Sequence, residues 1–223
     1  MSLTPSPNAL AEVPIFAGLD PDTLLGLATA SRTRRYPKGQ VLCSEGDPGE
    51  ELLLLEEGRV RVSRFAHTGQ EIVLAEIEAP AAFGELALID GSPRAATLTA
   101  MSEVTIRYLG RRTVLDLIAR EPGVAIAMMR SMAAMVRATN DRLGDVLSLD
   151  VPGRLAKWLL ARTGEDGLVE LDASQEALAR SLGTTRETLN RSLRRFERVG
   201  LVRVHGHRLA ILDAAALRSI AEG

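Results

Sequence analysis

Residues 83–97 read FGELALIDGSPRAAT, and this stretch is the most informative part of the 223-residue chain. Gly84 lets the backbone approach a ligand closely, and residues 85–89 can form a helical turn whose first N–H groups face an anion. Arg94 follows a Ser-Pro pair that stiffens its loop, in an apolar neighbourhood where a guanidinium is costly to bury without a partner. Its planar fork matches two phosphate oxygens.

Glu85 supplies a hydrogen-bond acceptor beside this predicted phosphate position. A carboxylate there needs a hydroxyl group as its partner, and the 2'-OH of a ribose would serve. The carboxylate, the Arg94 guanidinium and the free backbone N–H groups together describe a site for a ribose cyclic phosphate. The alternative is a plain salt bridge between Glu85 and Arg94 that closes a loop.

Short strands separated by glycines surround this stretch between residues 36 and 109. Alternating or continuously apolar residues predict six of them, at 40–43, 51–55, 59–62, 71–74, 97–100 and 104–108. His67-Thr68-Gly69-Gln70 is predicted to form a hairpin turn. Many short strands with regular turn signals favour an antiparallel sandwich or barrel.

From Thr113 onward the pattern becomes helical. An apolar stripe with steps of three and four residues resembles a coiled-coil seam, and it comprises Met128, Met132, Met135, Thr139, Leu143 and Val146. A small barrel cannot cover so long a stripe, which predicts a homodimer through this helix. The alternative is a helix packed on its own barrel. Thr139 is the one polar position, with Asn140 after it, and such a position costs stability unless it sets register or meets a ligand.

The sequence LDVPG at residues 149–153 is predicted to end this helix, with Asp150 capping the next helix and Pro152 in its first turn. After this boundary the pattern predicts helices at 154–162, 175–182 and 185–199, and a short strand at 167–171. A hairpin follows, with strands at 201–204 and 208–212 and a turn at 205–207.

The charge of the chain is unevenly distributed. The total is −2, yet residues 1–150 carry a net −5 and residues 151–223 a net +3. Residues 180–208 hold eight arginines against two glutamates. This concentration indicates a polyanionic partner, and the alternative is a solvated helix face.

Residues 175–198 have the outline of a helix-turn-helix with its turn at Gly183. Thr184 and Glu187 are predicted to form a capping box at the start of the second helix. The core side is predicted to comprise Ala177, Leu178, Leu182, Leu189, Leu193 and Phe196. The exposed face is predicted to comprise Arg186, Glu187, Asn190, Arg191 and Arg194.

This exposed face suits the major groove of DNA. Arginine bonds guanine bidentately, glutamate accepts from the cytosine amino group, and asparagine bonds adenine. Arg195, Arg198, Arg203 and Arg208 are predicted to lie near phosphates, which position the protein without specifying sequence. The alternative for Glu187 and Arg191 is a simple surface pair.

Composition excludes several classes. No stretch approaches the ~20 uncharged apolar residues of a membrane span, and the N-terminus lacks the pattern of a secretory signal. Cys43 is the only cysteine, so neither an internal disulfide nor a four-thiolate cluster is possible. We therefore expect a soluble, cytoplasmic protein. No catalytic constellation is visible, which predicts that the chain is not an enzyme.

Residues 83–97 resemble the phosphate-binding cassette of cyclic-nucleotide-binding domains. Together with the long helix, the LDVPGR stretch at 149–154 and TTRETLNR at 184–191, they make the whole chain similar to the bacterial cyclic-AMP receptor protein (Crp/Fnr) family. The resemblance implies an α+β fold in three parts. These are a jelly-roll cyclic-nucleotide-binding β-barrel with N-terminal helices at 1–112, a dimerisation helix at 113–149 and a winged helix-turn-helix at 150–223.

The resemblance also implies ligand contacts. Glu85 would bind the ribose 2'-OH and Arg94 the cyclic phosphate, with Gly84, Leu86, Ala87 and Ala95 around them. Ala95 stands where domains that prefer cyclic GMP tend to carry threonine, which favours cyclic AMP. Thr139 and Asn140 would read the adenine amino group from the dimer helices. No metal is expected, an Fe–S cluster is not expected because Cys43 stands alone, and haem is not expected because His67 lies in a predicted exposed turn.

For DNA, the resemblance implies a palindromic site with TGTGA-like half-sites, read by Arg186, Glu187 and Arg191. The full set of predicted DNA-binding residues is Thr185, Arg186, Glu187, Asn190, Arg191, Arg194 and Arg195. The implied partners are double-stranded DNA, a second copy of the chain and RNA polymerase, with no membrane. Two alternatives stay open: a member of the family that binds DNA without a nucleotide, and a nucleotide-responsive regulatory subunit that acts on a protein.

Overall fold

The computed structural model describes residues 7–66, 68–69, 71–164, 166–171 and 175–222. These divide into two compact units, Met1–Met135 and Val136–Gly223. In the first unit the helices are α1 (Pro7–Ala11), α2 (Pro21–Thr29), α3 (Glu85–Asp90) and α4 (Arg111–Arg120), and α5 (Pro122–Ser148) continues into the second unit. The strands are β1 (Arg32–Tyr36), β2 (Val41–Cys43), β3 (Glu51–Glu57), β4 (Arg59–Phe65), β5 (Glu71–Glu78), β6 (Ala81–Phe83), β7 (Thr97–Ala100) and β8 (Val104–Gly110).

Two four-stranded antiparallel sheets form the body of the first unit, in the orders β1-β8-β3-β6 and β2-β7-β4-β5. The side chains of β3 show what covers each face of its sheet. Leu53 and Leu55 face a core shared with β4 and β7 of the other sheet, whereas Leu52 and Leu54 face the helices. Side chains alternate along a strand, so the continuous apolar run of β3 marks a strand that is buried on both faces.

All six predicted strands are confirmed. β1 and β6 were missed: β1 reads RTRRY, and four of its five side chains are exposed or half-buried, so it has no apolar alternation to reveal it. The predicted hairpin is supported by the antiparallel register, in which Phe65 lies opposite Glu71. His67 and Gln70 of its turn lie outside the described residues.

The predicted single helix at 113–149 is wrong, since the chain forms α4 and α5 with Glu121 between them. Pro122 causes the break, because proline lacks an N–H and disfavours helical geometry in the residue before it. The first residue of the predicted dimer seam, Met128, is 1% exposed and packs in the core of its own unit. From Met135 onward the stripe is exposed. The predicted domain boundaries at 112/113 and 149/150 stay predictions.

The second unit contains α6 (Val151–Ala161), β9 (Leu168–Glu170), α7 (Gln175–Ser181), α8 (Arg186–Arg198), β10 (Val202–His205), β11 (Arg208–Ile211) and α9 (Ala214–Glu222). Asp150 caps α6 by accepting a hydrogen bond from the N–H of Gly153 at 2.9 Å, and Pro152 lies in the first turn, as predicted. The strands form a sheet in the order β10-β11-β9. The predicted α+β class is confirmed, with the sheet sandwich before the long helix and the winged helix-turn-helix after it.

Candidate ligand-binding and DNA-binding sites

Gly84 determines how α3 begins. Its φ of +86° is left-handed, which glycine adopts without strain, and its carbonyl accepts the first helical hydrogen bond from the N–H of Leu88 at 3.0 Å. A Cβ at this position would lie 1.8 Å from Nη1 of Arg94. Glycine is therefore required at position 84 for two reasons, the left-handed turn and the close approach of Arg94.

Arg94 is a buried cation that has no carboxylate partner among the described residues. It is 7% exposed, its Nη2 donates to the backbone carbonyl of Glu51 at 2.6 Å, and its Nη1 donates to that of Gly84 at 3.4 Å. Its Nε is buried and has no hydrogen-bond partner among the described residues. Among the described residues, Arg94 also makes no ion pair with Glu85. The Glu85–Arg94 salt bridge, which was the alternative to an anion site, is therefore not observed. A buried guanidinium with an unused N–H favours the binding of an anion.

The loop before β3 holds the backbone of Arg94. The N–H of Arg94 donates to the carbonyl of Asp47 at 2.8 Å, and the N–H of Gly46 donates to the carbonyl of Arg94 at 2.9 Å. Gly49 of the same loop lies against Ala87, because a Cβ on Gly49 would come within 2.2 Å of the Ala87 Cβ. Ala87 is 3% exposed, so its side chain serves this packing.

Glu85 opens α3 and is half-buried. Burial raises the pKa of its carboxyl group, and the nearby charge of Arg94 offsets that rise only in part. Leu86 is 38% exposed and Ala95 is also exposed. The structure thus places Gly84, Glu85 and Arg94 together, and the residues that directly follow Glu85 and Arg94, Leu86 and Ala95, are exposed.

Replacing Glu85 with glutamine tests this raised pKa. Between the ordinary pKa of a glutamate and the raised value, the folded chain holds a proton that the unfolded chain releases, so stability is lost as the pH rises through the folded pKa. Glutamine cannot ionise. The unfolding temperature of Glu85→Gln relative to the parent should therefore be higher at neutral pH than at a pH below 4.5, the ordinary glutamate value. The exposed Glu103→Gln is the control, and an unchanged difference at both pH values would contradict the prediction.

A cleft of about 840 Å³ is lined by Arg94 together with Glu50, Glu51 and residues from the first two turns of α4. No residue of α3 lines it. Glu85 therefore does not line this cleft. The candidate anion site is defined by the contacts of Glu85 and Arg94 and not by the cleft.

Thr139 and Asn140 are exposed residues of α5 in the second unit. Their predicted role in reading adenine stays a prediction. The same helix carries an exposed apolar stripe in this unit, with Val136 54% exposed, Leu143 and Val146 each 56%, and Leu147 78%.

Helices α7 and α8 form the predicted helix-turn-helix, with Gly183 at a φ of +64° in the turn. The predicted capping box is wrong by one residue. Thr185 is the N-cap, and its hydroxyl accepts from the N–H of Thr188 at 3.2 Å. Glu187 is free for another interaction and pairs with Arg191 at 3.2 Å.

Helix α8 separates an apolar face from a charged one. The predicted core residues of both helices are all buried. Of the predicted DNA-reading residues, Asn190 is half-buried and the rest are exposed: Thr185, Arg186, Glu187, Arg191, Arg194 and Arg195. The Glu187–Arg191 pair leaves both side chains more than 70% exposed, so it costs little to open for a base contact.

The hairpin of β10 and β11 is tied to α8. Glu197 of α8 accepts a hydrogen bond from the N–H of Val204 at 2.9 Å, and Arg208 pairs with Glu170 of β9 at 3.1 Å.

Arg154 is a positioning residue that the sequence did not reveal. Its Nε donates to the carbonyl of Leu182 at 3.0 Å and its Nη1 to that of Leu149 at 2.7 Å, which joins α6 to the end of α7. An arginine in the first turn of an apolar helix was the available signal.

The described part of the chain contains neither a cluster of metal-ligating side chains nor a membrane-spanning helix. No three His, Cys, Asp or Glu side chains there are arranged to hold a metal ion. No helix among the same residues is long and apolar enough to span a membrane.

Two models of known domain families match the chain, and each covers the stretch that contains one of the candidate sites. A model of the cyclic nucleotide-binding domain matches residues 33–121, and one of the Crp-like helix-turn-helix domain matches residues 153–220. The chain is 33% identical over 215 residues to the CRP-like cAMP-activated global transcriptional regulator of Mycobacterium tuberculosis, covering 93% of this chain and 96% of the relative. It is 32% identical over 211 residues to the cyclic AMP receptor protein of Thermus thermophilus, covering 94% and 97%.

Among solved structures, that of a CooA mutant from Carboxydothermus hydrogenoformans matches with a TM-score of 0.74 and 26% identity, covering 88% of this chain and 90% of that one. Both family models and relatives that align along nearly their whole length point to the same group. The chain belongs to the Crp/Fnr family of DNA-binding transcription regulators and carries that family's cyclic-nucleotide-binding domain.

Proposed function

We propose that this protein is a homodimeric transcription regulator that binds one cyclic AMP in each barrel and a palindromic DNA site. The observation that carries the proposal is Arg94, a buried guanidinium beside a glycine that leaves room for it, whose Nε has no hydrogen-bond partner in the described part of the chain. No enzymatic activity is proposed.

In the ligand complex, Arg94 binds the cyclic phosphate and Glu85 accepts a hydrogen bond from the ribose 2'-OH. Gly84, Leu86 and Ala95 add backbone contacts, and Ala95 offers no hydroxyl that would favour cyclic GMP. The names of the relatives from M. tuberculosis and T. thermophilus, which specify cAMP, support this choice. Thr139 and Asn140 complete the site at the adenine amino group.

The dimer forms through the exposed apolar stripe of α5. A ligand that contacts both the barrel and the dimer helices has unequal affinity for two arrangements of the protein, as allosteric control requires. The two copies of α8 then lie one turn of DNA, ~34 Å, apart. RNA polymerase is the proposed protein partner of the DNA-bound dimer.

On DNA, Arg186, Glu187 and Arg191 read TGTGA-like half-sites in the major groove. Asn190 is half-buried between them and has the amide needed to bond adenine, which adds to the specificity. Arg195, Arg198, Arg203 and Arg208 are the proposed phosphate contacts, Arg194 lies on the face towards the major groove, and Thr185 holds the start of α8.

Titration of cyclic AMP into a DNA-binding assay with a TGTGA palindrome tests the ligand and the DNA site together. We expect the nucleotide to increase DNA affinity, and the affinity to fall steeply between 50 and 200 mM salt, by about 10³-fold or more if six phosphates are contacted. Cyclic GMP is the control ligand. Failure to bind palindromic DNA in the presence of cyclic AMP would favour a regulatory subunit that acts on a protein.

A matched pair of arginine substitutions separates base contacts from phosphate contacts. Arg186→Ala should weaken binding to the TGTGA palindrome by about 10-fold or more while leaving random DNA little affected. Arg203→Ala should weaken binding to both DNAs equally and lower the salt slope by about one. Equal effects of both variants on both DNAs would contradict the assignment.

One observation supports a second candidate, a family member that binds DNA without a nucleotide. The Nη atoms of Arg94 already donate to the carbonyls of Glu51 and Gly84, so the side chain has a structural role in the free protein. In that case DNA affinity would be high without nucleotide, and calorimetry of the parent with cyclic AMP would show no binding.

A further inference from the structure

We infer that Arg111 is a positioning residue of the nucleotide site, because its guanidinium holds the C-terminal end of α3. The inference rests on the proposed function for its effect on ligand binding, but the contact itself is present in the free protein. Arg111 is not among the residues that the sequence assigned to the site.

The contacts of Arg111 connect three segments of the first unit. Its Nε donates to the carbonyl of Leu88 at 2.7 Å and its Nη2 to that of Ile89 at 3.3 Å. Its backbone N–H donates to the carbonyl of Glu50 at 2.8 Å. Glu51, the next residue, accepts from Arg94. The Glu50–Glu51 segment is therefore bonded to Arg94 on one side and to the start of α4 on the other.

Helix α3 needs such support because it has only six residues. A helix this short is unstable by itself, and its last carbonyls have no partners within the helix. The N–H of Gly91 satisfies the carbonyl of Ala87 at 2.9 Å. The next two carbonyls, of Leu88 and Ile89, are those that Arg111 bonds, and a positive charge at a helix C-terminus is favourable.

The consequence for binding follows from what α3 carries. Glu85 is its first residue and Gly84 is its cap, so the ribose contact is only as well ordered as the helix. Preorganised groups bind more tightly because no ordering cost is paid on association. Arg111 is also the first residue of α4, so a displacement of α3 on ligand binding acts directly on the start of α4.

The test compares Arg111→Met with Arg112→Met. Arg112 is the matched control, since it is the next residue, its side chain is 96% exposed, and it makes a distant ion pair with Asp116 at 3.9 Å. In the nucleotide-free protein, amide hydrogen exchange in residues 85–91 should accelerate by about tenfold in Arg111→Met and stay unchanged in Arg112→Met. Cyclic AMP affinity, measured by calorimetry, should fall by about five- to tenfold in Arg111→Met only.

Arg111→Lys separates positioning from bulk stability, because lysine restores the charge and one donor. It should recover part of the lost affinity. Unchanged exchange in residues 85–91 of Arg111→Met would overturn the inference. So would a lower unfolding temperature with unchanged affinity of the folded protein, which would mean a purely structural role. If the parent protein binds no cyclic nucleotide, the proposed function fails, while the exchange comparison still decides whether Arg111 holds α3.

Discussion

Arg94→Ala is expected to weaken cyclic AMP binding by at least about 100-fold, which is the size of effect seen when one member of a buried charge pair is removed. The phosphate would lose its only predicted cationic partner, and the carbonyls of Glu51 and Gly84 would lose their donor. Isothermal titration calorimetry on the purified variant measures the loss. Retention of the parent's affinity would remove Arg94 from the site.

Two further variants identify the origin of this loss. Arg94→Lys keeps the charge but cannot present the planar fork or an Nε, so it should bind more weakly than the parent and more tightly than Arg94→Ala. Arg35→Ala removes an exposed arginine of β1, which does not line the cleft beside Arg94, and should leave affinity unchanged. Hydrogen exchange in β3 and α3 shows whether Arg94→Ala is still folded around the site.

The core of this site could be predicted because its chemistry is local in sequence. Gly84, Glu85 and Arg94 lie within eleven residues, and the left-handed turn, the buried cation and the carboxylate each have a recognisable residue type. The partners of Arg94 could not be predicted in this way. They are backbone carbonyls, and the one it bonds most closely belongs to Glu51, 43 positions away in the chain.

The errors in the fold have equally physical causes. Strand β1 was missed because an edge strand with exposed arginines carries no apolar period, and only its pairing with β8 reveals it. The break before α5 has a local signal, since Pro122 follows a helical stretch and the residue before a proline is biased away from helical geometry. Met128 could not be assigned from the pattern, because an apolar stripe looks the same whether its own unit or a second copy covers it.

Leu143→Asp is expected to convert the protein from dimer to monomer at micromolar concentration. Leu143 is 56% exposed and lies in the stripe with Val136, Val146 and Leu147, an apolar surface that a second copy would bury. In a symmetric dimer the same residue meets itself or its neighbour, so the change would bury two carboxylates close together, at a cost of several kcal/mol. Sedimentation velocity measures the change in mass.

The consequence for DNA distinguishes the dimer from an incidental contact. A dimer that carries two recognition helices binds DNA about 10²- to 10⁴-fold more tightly than a monomer that carries one. The affinity of Leu143→Asp for the palindrome should therefore fall by at least about 100-fold, and its affinity for a single half-site should fall much less. Arg137→Asp is the control. It is exposed on the same helix, about 120° round the axis from Leu143, and changes the charge by more. A parent that is monomeric, or a Leu143→Asp protein that stays dimeric, would show that α5 is not the interface.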